Sequence, residues 1–327
     1  MPDASIDDVL GGLDLTAPEA SFGDGAFDPG FEEFHEGMVN DGSPNLIGYA
    51  LDRIDSDGGQ ARLHCKYGTF KAAQATSFTL IPELFHQLTL SSGSVTLEDL
   101  PARRRIHRMV KDPIISGDGR CAEVAVSVLT IVEGERPEIL LFRRSAQVAT
   151  DPLRLHVAPA GKFQRTGELP ATLQDEQFSL QMTILREFAE ELLGVPETEG
   201  NETYTARTAR AVPEVADLYR LCDSGEISLY RTGLVVCLAD LQPEITCLAI
   251  VRDRSWLNER LKPNWEFLPL HQLPSRDRRR MRIALDDDLE LMNEARSSLR
   301  PSQLVSRAAA ALALGLPAYR QIRERGH

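Results

Sequence analysis

The chain has 327 residues, of which 42% are hydrophobic and 26% are charged, and its formal net charge is −13. A chain of this length can bury a full core and is typical of two compact units. Its negative charge argues against bulk binding to nucleic acid. No apolar run approaches the roughly 20 residues of a membrane helix, and the N-terminus lacks the basic and apolar segments of a secretion signal. We therefore expect a cytoplasmic protein with neither a membrane nor a nucleic acid as partner.

The five cysteines are scattered along the chain and form no C-x-x-C pair. They indicate neither a disulfide framework nor a zinc site, and the seven histidines show no ligand spacing. We expect free thiols, buried as small hydrophobic side chains in a reducing compartment.

The first 44 residues are strongly acidic. They contain eleven Asp and Glu residues, no Lys or Arg, and many Gly, Pro, Ser and Ala residues without a sustained apolar period. This composition predicts a largely disordered tail over residues 1–44, disordered at least to about Gly30. A solvating role is favoured, and a partner-binding role is left open.

Residues 45–116 are predicted to form a small α+β accessory domain. Two runs with β-branched and aromatic residues, 47–54 and 61–70, flank an acidic Gly-rich turn, which is a hairpin signal. A short helix is predicted over residues 81–88. The basic run at 101–108 has no interleaved aromatic residues, so it is more typical of a solvated face than of a nucleic-acid surface.

Residues 117–327 are predicted to form an α/β domain in which a mixed β-sheet lies between helices. Apolar runs and turn residues predict strands over residues 122–132, 139–142, 153–158, 234–238 and 245–251. The same patterns predict helices over residues 179–193, 285–299 and 302–314.

The predicted helix at 179–193 carries the most informative pattern. Its apolar residues fall within an arc of about 100°: Ile184, Leu185, Phe188, Leu192 and Val195. Glu187, Glu190 and Glu191 share the other side, where like charges repel by a few tenths of a kcal/mol per pair. A divalent cation would offset this repulsion, and carboxylate oxygens are ligands that suit magnesium. Arg186 can pair with Glu190 one turn later. The alternative is a solvated amphipathic helix.

The segment from Arg186 to Glu191 resembles the R-E-U-x-E-E core of the Nudix family, where U is a bulky apolar residue. Gly161-Lys162-Phe163 resembles the opening of the same motif, Gly167-Glu168 resembles its Gly-Glu pair, and the run 141–145 resembles the preceding strand. The likeness spans residues 117–274. It departs from the G-x5-E-x7-R-E-U-x-E-E-x-G-U pattern, because Glu168 and Gly194 each lie one place late and seventeen residues separate Glu168 from Arg186. Residues 169–178 are thus interpreted as an insertion.

The resemblance implies magnesium- or manganese-dependent hydrolysis of a phosphoanhydride in a nucleoside diphosphate derivative. It implies metal ligation by Glu187, Glu190, Glu191 and Glu168, with Arg186 holding a carboxylate. Glu266 is the candidate base from a later loop. The candidate substrate-binding residues are Gly161, Lys162, Arg143 and Arg144. Adjacent residues on a strand point to opposite faces, so at most one of these two arginines is expected to act.

An alternative function remains open at this stage. The displaced Glu168 is also compatible with a catalytically lapsed module that binds or senses a nucleotide-like small molecule. His156 is more typical of a structural histidine than of a proton carrier, and Trp256 and Trp265 are more typical of core packing than of base stacking. A homodimer is left open.

Overall fold

The structure is a computed structural model that describes residues 6–8, 13–18, 46–57, 60–148, 151–165, 177–197, 206–268, 282–285 and 299–326. Its strands are β1 (Ile6–Asp8), β2 (Leu13–Thr16), β3 (Ile47–Asp57), β4 (Gln60–Thr69), β5 (Ala125–Val132), β6 (Glu138–Leu140), β7 (Phe142–Arg143), β8 (Leu155–His156), β9 (Ala160–Lys162), β10 (Ile227–Cys237), β11 (Gln242–Val251) and β12 (Arg282–Ala284). Its α-helices are α1 (Phe70–Ala75), α2 (Leu80–Leu90), α3 (Pro101–Met109), α4 (Leu180–Leu192), α5 (Ala206–Ala209), α6 (Pro213–Asp223), α7 (Arg254–Arg260) and α8 (Ser306–Glu324).

The main sheet has the strand order β1-β10-β11-β5-β6-β12, and β9 pairs with β5 as a seventh strand. β5 runs parallel to β11, and β1 runs parallel to β10, whereas the other neighbours are antiparallel. The sheet is therefore mixed, and the fold is a mixed α/β fold as the sequence predicted.

Strand β5 shows why helices cover both faces of this sheet. Val126 and Val128 pack in one core cluster with Leu185 of α4, whereas Leu129 packs in a second cluster with Ala308 of α8. Successive side chains of a strand point to opposite faces. Since both faces carry apolar residues, the whole strand is buried, which agrees with the predicted sheet between helices.

A second sheet has the order β2-β4-β3, and the predicted hairpin is confirmed as β3 and β4. The Tyr49 amide donates to the Phe163 carbonyl at 3.0 Å, and the Leu51 amide donates to the Ala122 carbonyl at 2.8 Å. Tyr49 and Leu51 also belong to the same core cluster as α4. The hairpin and the main sheet thus share one core. The predicted domain boundary near residue 117 stays a prediction.

The prediction of a tail without order before Gly30 is wrong for two short segments. Strand β1 pairs with β10, and β2 pairs with β4. The Leu13 side chain is only 4% exposed and belongs to the main core cluster. Both segments are ordered by pairing with distant strands, which the absence of a local apolar period does not reveal.

The predicted helix at 81–88 and the predicted strands from residue 122 to 251 are found, with shifted bounds. Strand β10 begins earlier than predicted, and the run 153–158 is a strand only at β8. The run 285–299 is not confirmed as a helix, since Leu285 follows β12 and residues 286–298 lie outside the described residues. The last helix is confirmed but begins at Ser306 instead of residue 302. Helices α1, α3, α5, α6 and α7 were not predicted.

The basic run at 101–108 is helix α3, and it serves packing. Ala102 and Ile106 are buried, and Arg103 donates to the backbone carbonyls of Leu80, Leu238 and Ala239. These contacts attach α3 to the start of α2 and to the turn between β10 and β11. Within the described part of the chain, no helix is long and apolar enough to cross a membrane.

Candidate active site

Helix α4 forms where the sequence predicted it, and its ends explain its bounds. The Ser179 hydroxyl accepts a hydrogen bond from the Met182 amide at 3.1 Å, which caps the N-terminus. Gly194 follows the C-terminal end with a φ of 71°, a left-handed conformation that favours glycine. The apolar face made by Ile184, Leu185 and Phe188 is buried against the sheet.

The three glutamates of α4 are not on a solvated face, so that alternative is wrong. Glu190 is 5% exposed, Glu191 is 2% exposed, and the Glu187 side chain is 13% exposed. Arg186 forms ion pairs with Glu187 and, at 3.6 Å, with Glu190. Glu191 instead accepts a hydrogen bond from the Ala160 amide at 2.9 Å. Strand β9 therefore lies directly beside the acidic side of the helix.

Gly161 permits this close approach of β9 to α4. A β-carbon at this position would lie 2.2 to 2.5 Å from the carboxylate atoms of Glu187. The next residue, Lys162, lines the cleft beside α4. Its ammonium group lies 3.0 Å from the Gln242 side-chain oxygen and 3.3 Å from the Glu123 carboxylate.

Glu266 reaches the same cleft from a loop pinned to two elements. The Asn264 amide donates to the Glu191 carbonyl at 3.0 Å, at the end of α4. The Ser145 amide donates to the Glu266 carbonyl at 2.6 Å, just after β7. The Glu266 carboxylate then lies 3.9 Å from the Arg144 guanidinium. The loop thus brings this carboxylate to the glutamates of α4, about 75 residues earlier in the chain.

The cleft has a volume of about 550 Å³. Its charged and polar lining residues include Arg144, His156, Lys162, Arg186, Glu187, Glu190, Glu191, Glu197, Glu244, Asn264, Glu266 and Arg307. Most candidate residues of the sequence analysis therefore converge on one concave surface, which is the usual form of a small-molecule site.

Burial and mutual repulsion raise the pKa of the carboxylates in this cleft. Burial, opposed by Arg186 and reinforced by Glu190, raises the pKa of Glu187 from 4.5 to about 7. Burial together with Glu266 and Glu187 raises the pKa of Glu191 well above 4.5. Burial also raises the pKa of Glu266, against the opposing effect of Arg144. Perturbed carboxylates in a cleft are typical of functional sites.

Of the two adjacent arginines, only Arg144 lines the cleft. The Arg143 guanidinium donates to the Leu153 carbonyl at 2.7 Å, on the other side of the strand. The geometry therefore does not support the prediction that Arg143 binds substrate. Glu168 lies outside the described residues, so its assignment as a metal ligand stays a prediction.

Sequence reasoning missed Glu197, Glu244, Asn264 and Arg307 as cleft residues. Glu197 accepts a hydrogen bond from the indole of Trp265, which is exposed at the cleft, at 2.7 Å. Arg307 forms ion pairs with Asp240 at 2.9 Å and with Glu244 at 3.0 Å. Glu244 is the one charged residue in the buried strand β11, and this was the local signal available. Trp256 packs in the core, and its indole N–H donates a hydrogen bond to the Asp217 carboxylate.

The donor set has the chemistry that a hard divalent cation requires, although its arrangement is not that of a formed metal centre. Glu187, Glu191 and Glu266 are carboxylates with raised pKa values, and like charge contributes to each shift: Glu266 acts on both Glu187 and Glu191. Among the residues that the structure describes, however, no three His, Cys, Asp or Glu side chains are grouped closely enough to hold a metal ion. Arg186 takes up part of the negative charge instead.

No family model and no curated protein matches this chain. Among solved structures, it is similar to a Nudix hydrolase from Alicyclobacillus acidocaldarius, with 19% identity, a TM-score of 0.26, and coverage of 45% of this chain and 76% of that one. It is also similar to RenU, a Nudix hydrolase from M. smegmatis, with 12% identity, a TM-score of 0.28, and coverage of 62% and 87%. Both TM-scores are below 0.5, so we base no inference about family or activity on these two likenesses.

Proposed function

We propose that this protein hydrolyses a phosphoanhydride bond in a nucleoside diphosphate derivative and uses magnesium or manganese. The observation that carries the proposal is the burial of Glu190 and Glu191, beside the largely buried Glu187, in one cleft with Glu266 and Arg144. Removing several carboxylates from water is unfavourable unless cations compensate them. The two nearby arginines compensate only part of this charge, and a bound divalent cation would compensate the rest.

The residues that would hold the metal are Glu187, Glu190 and Glu191, with Glu266 or Glu168 as a further oxygen donor. When bound, magnesium supplies charge neutralisation on the diphosphate and acidifies a water molecule. Arg186 would hold the rotamers of Glu187 and Glu190 through the ion pairs described above.

The remaining steps follow from groups of the chain itself. Arg144 and Lys162 carry positive charge on the cleft wall, where they would bind phosphate oxygens. Burial raises the pKa of Glu266, which makes its carboxylate a stronger general base than an exposed one. It would take a proton from the attacking water while the new oxygen–phosphorus bond forms. The bridging oxygen–phosphorus bond breaks, and the leaving phosphate keeps the electron pair.

A catalytically lapsed binding module is the second candidate, and one observation favours it. Arg186 forms ion pairs with Glu187 and Glu190. In their present arrangement, the described carboxylates form no group that could hold a metal ion. Such a cleft would bind a nucleotide-like ligand through Arg144 and Lys162 without cleaving it.

The decisive experiment screens nucleoside diphosphate derivatives for release of the nucleoside monophosphate in millimolar magnesium, with thermal melts in magnesium and in EDTA. The hydrolase proposal is supported if the wild-type protein is active and its melting temperature rises with magnesium. The double variant Glu190→Gln, Glu191→Gln should lose both effects, whereas Glu259→Gln, an exposed glutamate on α7, should keep both. Ligand-induced stabilisation without turnover would establish the binding module instead.

A further inference from the structure

One end of the cleft contains polar groups that the proposed reaction does not use. Its main residue is His156 on β8, which is 5% exposed and lines the cleft. The Val305 amide donates to the Leu155 carbonyl at 2.9 Å, so the segment before α8 lies alongside β8. This pairing brings Arg307, near the start of α8 and also in the cleft lining, close enough to His156 for its charge to act on the ring.

The tautomer of His156 is set by the hydrogen bond that Nδ1 forms. Nδ1 lies 2.8 Å from the Val157 carbonyl oxygen, which only accepts, so Nδ1 carries the proton and donates. Burial, with Arg144 and Arg307 nearby, lowers the pKa of His156 to about 3, so the ring is neutral. Nε2 is then a hydrogen-bond acceptor, and it has no partner among the residues that the structure describes.

The charges around His156 are already balanced. Arg307 pairs with Asp240 and Glu244, and the Ser127 hydroxyl donates to the Glu244 carboxylate. Arg144 is shared with Glu266. Within the described residues, every cation at this end thus faces at least one carboxylate. A second anionic group of a ligand would gain little here, whereas a group that donates hydrogen bonds would find a buried acceptor.

We propose that His156, Glu244 and Arg307 form a subsite for a neutral, hydroxyl-bearing group, of the sugar class, that is attached to the diphosphate. The proposal rests on the proposed function, because the diphosphate is what would lie between this subsite and the carboxylates of α4. A hydroxyl group donates to the neutral His156 ring or to Glu244 and accepts from Arg307. His156 would therefore be a specificity-determining residue.

The test compares glucose esters with cyclohexyl esters of ADP, GDP, CDP and UDP, which differ in ring hydroxyl groups. Wild type should hydrolyse a glucose ester with a kcat/KM at least about tenfold above that of the matched cyclohexyl ester. His156→Asn keeps a donor near Val157 but loses the distal acceptor, so it should reduce this preference by about tenfold. His156→Gln carries an oxygen near the position of Nε2 and should keep the preference within about threefold.

Equal kcat/KM values for the two esters in wild type, or an unchanged preference in His156→Asn, would overturn the subsite. A preference for the glucuronate ester, which adds a carboxylate, would overturn its neutral character. Titration calorimetry of the same esters in EDTA separates this inference from the proposed function. If wild type hydrolyses none of the esters, the proposed function fails. The subsite then stands only if the glucose ester binds more tightly than the cyclohexyl ester and His156→Asn removes the difference.

Discussion

Glu191 accepts a hydrogen bond from the Ala160 amide, while Glu266 and Glu187 act on it as like charges. The neutral form of this side chain suits the metal-free protein, and the charged form suits a metal ligand. A purely structural carboxylate is stabilised in its charged form by partners in the protein. A carboxylate that is neutral without metal and charged with metal would instead be expected at a functional site.

We predict that Glu191→Gln has opposite effects on stability and on rate. Glutamine keeps the acceptor for Ala160 and removes the repulsion, so the melting temperature in EDTA should rise by a few degrees, about 2–4 °C per kcal/mol. Turnover should fall by about 10²- to 10³-fold, because a charged group that acts on the transition state is lost. Differential scanning fluorimetry and steady-state kinetics measure the two effects.

The matched control for Glu191→Gln is Glu259→Gln on helix α7, whose side chain is exposed. It should change neither quantity measurably. A fall in both stability and turnover for Glu191→Gln would show that the carboxylate is structural.

The pH dependence of stability follows from Glu187. Its folded pKa of about 7 lies above the ordinary value of 4.5, so between these values the folded state binds more protons than the unfolded state. The free energy of unfolding in EDTA should therefore fall as the pH rises from about 4.5 to 7, by at most about 1.4 kcal/mol per pH unit from this group. Urea unfolding across this range measures the slope. Glu187→Gln should make the slope less steep, because the other carboxylates with raised pKa values remain, and a slope of opposite sign would contradict the raised pKa.

At the scale of elements, the approach of β9 to α4 depends on Gly161. We predict that Gly161→Ala displaces the Glu187 carboxylate, since the added β-carbon would lie within 2.5 Å of it. Stability should fall by about 1–3 kcal/mol, and turnover should fall further than stability alone explains, because the carboxylate is moved within the site. Denaturant melts and kinetics at a temperature where the variant is folded test this.

Gly93→Ala is the control for this substitution, because an added β-carbon at Gly93 meets nothing within 4 Å. It should leave stability and turnover near the wild-type values. Equal behaviour of the two variants would show that β9 and α4 are not as close as described.

At the scale of the whole molecule, strands β1 and β2 join the N-terminal residues to two different sheets. The Arg231 guanidinium on β10 also donates to the Leu13 carbonyl at 2.5 Å. Strands β1 and β2 are therefore parts of the fold, in contrast to the largely disordered tail that the composition suggested.

We predict that deletion of residues 1–17 lowers the melting temperature by several degrees. Leu13→Ala should lower stability by about 2–3 kcal/mol, since a buried leucine leaves a cavity. Asp14→Asn, which removes only an exposed ion pair with Arg62, should change it by less than about 1 kcal/mol. Thermal melts of the three variants decide this. A deletion without effect would return residues 1–17 to the role of a solvating tail.

Two features could be predicted from the sequence because their causes are local. Helix α4 follows from an apolar period, from Ser179 at its start and from Gly194 after its end, all within one short segment. The hairpin of β3 and β4 follows from a Gly-rich turn between two β-rich runs. The same local period also placed the three glutamates on one side of α4.

Only the tertiary structure decided that this acidic side is buried, since the burial depends on β9 and on the loop that ends at Glu266. His156, Glu244 and Arg307 lie far apart in the chain, and they meet because β8, β11 and α8 pack around one cleft. Strands β1 and β2 are ordered by partners distant in sequence. Local periodicity determines which face of an element is polar, and only the packing of elements determines whether that face meets solvent or another charge.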